Sequence, residues 1–253
     1  MRKQNIWKYI NIGTGFRYLQ EAKKGRSIHG DSFILENIER FSENLEELGL
    51  PVTSRAAYDL GSLYEELLET DEDAKLTEEQ AKALRDAIMT LRPTFAAEAR
   101  GIFSYIVNEK RISTEKLVGD ITSIFSPDVF DKISDIAQYD FKEAGRCVAF
   151  ERPTAAAFHL MRAVESVLKP YYKKYTRPAQ NGLTWGQMTH ALKNKQRGKK
   201  PNPTTLNQVD HIRVAFRNPT QHPEKIYDIE EAQDLLFLCI DVTNRMVSEI
   251  HNK

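Results

Sequence analysis

Ala157, Leu160, Met161, Val164, Val167 and Leu168 fall three or four residues apart in TAAAFHLMRAVESVLKPYY, a segment that Pro153 opens. That spacing lines one face of a helix and no face of a strand. The same period returns along most of the chain, so the expected fold class is all-α. Residues 32–48 put Phe33, Ile34, Ile38, Phe41, Leu45 and Leu48 on one stripe, and Gly49 and Pro51 should stop that helix. A second helix is expected over 54–69. A third should start at Thr77, where Thr77 and Gln80 have the spacing of a capping box, and should kink or end at Pro93. Ser126-Pro127-Asp128 reads as a helix start, with the helix running to about Phe150. Helices are also expected over 183–193, over 204–217 and from Asp228 to about 250, with Glu231 closing a cap pair on Asp228. Residues 103–114 are the one departure. There two β-prone pieces flank Asn-Glu-Lys and allow a short β-hairpin.

The chain has 253 residues, enough for one large domain or two small ones, with 41% hydrophobic and 28% charged residues. No apolar run approaches the ~18 residues of a membrane span, and the opening MRKQNIWKYINIG lacks the apolar core of a secretory signal. Cys147 and Cys239 both lie in helical apolar stretches. They read as reduced core residues of a cytoplasmic protein rather than as a disulfide or a zinc site. The net charge is zero but unevenly spread. Residues 146–253 carry 17 Lys and Arg against 10 Asp and Glu, whereas residues 1–145 carry 19 against 26. An acidic part joined to a basic one suits a polyanion partner, and equally suits two differently solvated surfaces. The expected boundary lies near 113–126, giving an N-terminal helical region over 1–120 and a second helical domain over 125–253.

Several short motifs are set aside. Gly13-x-Gly15 would need a third glycine at position 18 to bind a dinucleotide, and that residue is Tyr18. His29-Gly30-Asp31 reads as a polar turn. Met161 and Met188 read as core residues, and Trp185 as the anchor of its short helix.

FRNPTQHP, residues 216–223, places Arg217, Asn218 and His222 within six residues. Asn218 precedes Pro219 and His222 precedes Pro223. The helix is therefore expected to end near Arg217, and His222 to sit in extended backbone. One reading is purely local: an arginine in a last helical turn complements the helix dipole, worth ~0.3–1 kcal/mol. The other is chemical. Breaking an RNA strand without a metal needs a group that moves protons near neutral pH, a fixed cation for the charge growing on phosphate, and something to orient both. Histidine, arginine and asparagine supply these in turn.

Arg217-Asn218-x-x-x-His222 resembles the R-x(4–6)-H signature of the HEPN domain (higher eukaryotes and prokaryotes nucleotide-binding), with Asn218 matching the polar residue that the family favours after the arginine. GRCVAFERPTAAAFHLMRAVESVLKPYY (145–172) is similar to the core helices of a large bacterial group of this family, and DIEEAQDLLFLCIDVTNRM (228–246) to its closing helix. The resemblance covers 125–253. It implies a helical bundle that dimerises across two R-x4-H motifs. It also implies a metal-independent endoribonuclease that leaves a 2′,3′-cyclic phosphate, serving as a toxin or phage-defence effector beside an antitoxin or defence-system partner. On the same basis Arg217 would stabilise the phosphate, His222 would be the general acid/base and Asn218 would orient them, with no cofactor. Glu165 and Arg162 stand where family members keep polar residues facing the motif, and they could equally form a surface ion pair.

Two basic segments fit an RNA partner. KPYYKKYTR (169–177) carries Lys173, Lys174 and Arg177 among Tyr171, Tyr172 and Tyr175. KNKQRGKK (193–200) carries Lys193, Lys195 and Arg197. Phosphate contacts with rings for base stacking would make a single-strand track; ordinary solvated loops and a core Tyr171 are the alternative. A non-catalytic HEPN module binding RNA, nucleotide or a protein is the competing functional expectation.

Overall fold

The computed structural model describes residues 5–176, 182–221 and 225–251. Among these the regular elements are all helical, and one isolated antiparallel bridge joins Ser27 to Lys75. The fold is all-α. The chain divides into two compact units, Met1–Tyr105 and Ile106–Lys253. That division falls ahead of the 113–126 boundary read from the sequence, because Ile112, Leu117 and Ile121 are buried in the core of the second unit.

The first unit comprises α1 (Ile6–Gln20), α2 (Ile34–Leu48), α3 (Pro51–Ala56), α4 (Tyr58–Leu68) and α5 (Glu78–Ala99). Phe16 of α1 meets Phe41 of α2 edge-on at 4.7 Å, and Leu60, Leu63, Leu84 and Ile88 complete the core. Gly49 ends α2 in the left-handed conformation at φ 71°, where a side chain would be strained. Gly13 and Gly15 lie inside α1 rather than in a phosphate-binding loop, and His29 bonds Thr70 in a turn. The expected capping box is present at the start of α5: Thr77 accepts from the Gln80 N–H, and the Gln80 side chain accepts from the Thr77 N–H. Pro93 neither ends nor interrupts α5. Proline removes one bond to the carbonyl four residues back, and that residue, Met89, lies on the exposed face. Leu91 and Phe95 remain seated on the core to either side.

The second unit comprises α6 (Thr114–Val118), α7 (Asp135–Ala149), α8 (Pro153–Tyr175), α9 (Trp185–Lys193), α10 (Pro203–Ile212), a π-turn (Arg213–Arg217), α11 (Asn218–Gln221) and α12 (Ile229–His251). The long helix α8 is central. It packs along α7 and α12, with α9 and α10 closing one end. Its buried face is the stripe read from the sequence: Ala157, Leu160, Met161, Val164, Val167 and Leu168 are all buried. Trp185 is fully buried and seats α9, and Thr184 and Gln187 form its capping box. Asp228 and Glu231 cap α12 reciprocally, as expected.

Three local expectations fail in this unit. No hairpin forms over 103–114. A lone two-stranded hairpin is marginal in water, and here α12 takes the backbone instead: the Arg111 N–H donates to Gln233 at 2.8 Å, and the Arg111 guanidinium pairs with Glu230 and Asp234. No helix begins at Ser126, because Asp128 stands at φ 61°. Phe125 is pulled into the core, 4.8 Å from Phe141 and 5.2 Å from Phe130. The helix starts instead after Ser134, whose hydroxyl accepts from the Ala137 N–H. Nor does the last turn before Pro219 end a helix, as the site makes clear.

Candidate functional site

The segment 213–221 keeps helical backbone through the proline by widening. The Asn218 N–H donates to the Arg213 carbonyl, five residues back, and Asn218 itself stays helical at φ −63° and ψ −50°. A π-turn changes the bond pattern ahead of Pro219, which has no N–H to offer and crowds the carbonyl four residues before it. The expected break after Arg217 is therefore replaced by this wide turn and the short α11. Below it the Thr220 and Tyr227 hydroxyls lie 2.7 Å apart and within 2.6 and 3.0 Å of the Phe216 carbonyl, and their two protons serve two of these three contacts. Arg217 is thus carried on a turn that is pinned from beneath. His222, the other half of the motif, lies outside the described residues, as does Arg177.

Arg217 borders two neighbouring cavities. One, of about 250 Å³, is lined by Phe158, His159, Met161, Arg162, Glu165 and Arg217. The other, of about 390 Å³, is lined by Glu165, Lys169, Tyr172, Lys173 and Arg217 together with Gly182, Leu183, Thr184 and Met188. Glu165 and Arg217 are common to both. The Arg217 Nε is buried and has no hydrogen-bond partner among the described residues. Leaving a buried charged donor unpaired normally costs more than an ordinary hydrogen bond contributes. Asn218, beside it, is half-buried.

Arg162 does not pair with Glu165, three residues on. It reaches α7, where Nε and Nη2 donate to the two oxygens of Asp140 at 2.6 Å each. That hydrogen-bonded pairing holds the guanidinium pKa above its ordinary value. Asp140 is completely buried and also meets His159 Nδ1 at 2.9 Å. Asp140 and His159 are the residues that reading the sequence missed. The signal was slight: His159 and Arg162 are one turn apart on α8, and Asp140 lies in a different helix, so only the fold joins them.

The basic residues divide. Lys173 is exposed and lines the larger cavity with Lys169 and Tyr172. Lys174 donates to the last carbonyls of α12, Glu249 and Ile250, Lys193 pairs with Asp210, and Lys195 donates to the Tyr175 carbonyl. These three hold the bundle together. Arg197 is exposed on its loop. Tyr171 and Tyr175 are not stacking platforms: both are buried and donate their hydroxyls to Glu249, at 2.7 and 2.8 Å. Burial first, and then the Glu249 carboxylate, push the Tyr175 phenol up to about 12. Tyr172, by contrast, lines the larger of the two cavities.

Among the described residues no three His, Cys, Asp or Glu side chains gather as metal ligands, and no helix is long and apolar enough to cross a membrane. The site defines this chain as an all-α protein with an arginine-centred pair of cavities. Compared with family models, curated proteins and solved structures, the chain matches none.

Proposed function

We propose that the second unit is an endoribonuclease of the HEPN type, cutting RNA without a metal and leaving a 2′,3′-cyclic phosphate. The observation that carries this reading is Arg217. Its Nε is buried with no partner among the described residues, it stands on a wide turn built ahead of Pro219, and it lines two cavities that share Glu165. A planar, permanently charged donor so held suits the charge that grows on a phosphate in the transition state. His222, five residues on, would move protons, and Asn218 would orient the pair. Lys169, Lys173 and Tyr172 give the larger cavity two cations and one ring, which suits a nucleotide of a single strand. The molecule would act as a homodimer bringing two motifs together, in a toxin or phage-defence role with its own protein partner.

The test is an RNA cleavage assay in EDTA on tRNA, mRNA and rRNA, comparing the wild-type chain with R217A and H222A. Cleavage by the wild type alone supports the reading. No cleavage by any folded variant overturns it and leaves a non-catalytic binding module. Growth arrest on expression, lost in H222A, would support the toxin role, and a strict monomer at micromolar concentration would overturn the dimer.

A further inference from the structure

Asp140 of α7 is completely buried, and three bonds converge on it: two from Arg162 at 2.6 Å and one from His159 Nδ1 at 2.9 Å. Arg162 alone matches the carboxylate's charge and takes both of its oxygens. The third bond does something else. A carboxylate paired in this way only accepts, so Nδ1 of His159 donates to it and Nε2 is the ring nitrogen left for another partner. The imidazole is 27% exposed, and it lines the same cavity as Arg217 and Glu165. A buried acid fixing the tautomer and tilt of a histidine that faces a pocket is the arrangement of a general base and its orienting group.

We propose that His159, oriented by Asp140 and Arg162, is a second acid–base group of the Arg217 site and takes the proton from the attacking 2′-hydroxyl. This rests on the ribonuclease reading above. Metal-free cleavage moves two protons, and a histidine held by a buried carboxylate at the edge of the Arg217 cavity is placed to take one of them. In the balanced step, the 2′-oxygen bonds to phosphorus as its proton passes to Nε2 of His159. The bond from phosphorus to the 5′-oxygen breaks, and that oxygen takes a proton from water. One product ends in a 2′,3′-cyclic phosphate and the other in a 5′-hydroxyl. His159 is the catalytic residue, and Asp140 and Arg162 are positioning residues. The charged and titratable groups around the imidazole are Asp140 and Tyr139 from α7, Arg162 and Glu165 from α8, and Arg217 from the π-turn.

The experiment measures kcat and KM against pH for the wild type, H159Q, H159A, D140N, R217A and H222A on total tRNA and a fluorescent single-stranded oligoribonucleotide. Thermal unfolding confirms that each is folded. The expected result is a fall in kcat of roughly 10²–10⁴-fold in H159Q with little change in KM. The low-pH limb of the profile is lost, and added imidazole partly restores H159A. D140N lowers kcat and shifts that limb. If H159Q keeps wild-type kcat and profile while R217A and H222A are dead, this inference fails and the ribonuclease reading stands. A wild type that does not cleave, or an R217A that cleaves as well, overturns both.

Discussion

The guanidinium of Arg162 grips the buried carboxylate of Asp140 through Nε and Nη2, both at 2.6 Å, while its own side chain is 60% exposed. One partner is therefore in water and the other is completely enclosed. Removing the enclosed one and removing the exposed one have different consequences.

Asp140→Ala deletes the anchor between α7 and α8 and leaves His159 and Arg162 without their acceptor. Breaking a buried pair from one side costs about 3–5 kcal/mol. Because Arg162 can turn to water, we expect the lower end of that range, read as a lower midpoint in urea unfolding. Arg162→Ala leaves the carboxylate itself buried with only His159, and should be the more damaging of the two.

Arg217→Ala should behave in the opposite way. Its Nε is buried with no partner among the described residues, so loss of the side chain removes a liability and should change stability by less than about 1 kcal/mol. If the residue holds a phosphate, RNA cleavage should fall by roughly 10²–10³-fold. Arg217→Lys keeps the charge but not the fork, and should restore little. Unfolding curves and cleavage rates measured on the same preparations separate the two effects.

Glu249 should contribute to the acid stability of the second unit. Burial pushes its pKa up, but donation from Thr205, Tyr171, the Asn202 N–H and Tyr175 outweighs burial and holds the carboxyl below its ordinary value. The group therefore binds a proton more readily when unfolded. Its stabilisation is fully present above about pH 4.3, the unfolded value, and is lost as the pH falls through the depressed folded value. Glu249→Gln should cost about 1.5–3 kcal/mol at pH 7 and flatten the acid limb of melting temperature against pH. An unchanged limb would refute the assignment.

Gly145 tests close packing. Alanine is ordinarily the better helix residue by about 1 kcal/mol. Here a Cβ would lie 2.5 Å from the Leu117 carbonyl and 2.9 Å from Ile121 Cδ1. The backbone of α6 cannot yield as a flexible side chain can, so the clash wins. Gly145→Ala should destabilise by about 1–3 kcal/mol, seen as a lower melting temperature.

The helices most legible in the sequence were those whose apolar period and caps agreed. Thr77 and Gln80, Pro153 and its stripe, and Asp228 with Glu231 all lie where local chemistry put them. Signals that rest on two or three residues were less secure. Ser126-Pro127-Asp128 has the letters of a helix start, but burying Phe125 beside Phe141 decides the backbone there. Proline ended the helix at neither Pro93 nor Pro219: α5 runs on to Ala99, and a widened turn precedes Pro219. In the site, Arg217, Arg162 and Glu165 were found by motif and spacing and do share a cavity. Asp140 could not be found that way, since its link to His159 spans two helices. Nor does a sequence reveal that Lys174 and Lys195 donate to backbone carbonyls.

Between Arg213 and Arg217 the chain holds one residue more than an ordinary α-turn would use. That surplus works as a phase shifter. It lets Leu206, Val209 and Ile212 stay on the core face upstream and Thr220 meet Tyr227 downstream. Removing any single residue from the turn would rewind the helix and rotate everything after it by about 100°. Arg217 and the residues that follow would then address a different side of the bundle. The length of this one turn is therefore as much a part of the site as the identity of its arginine.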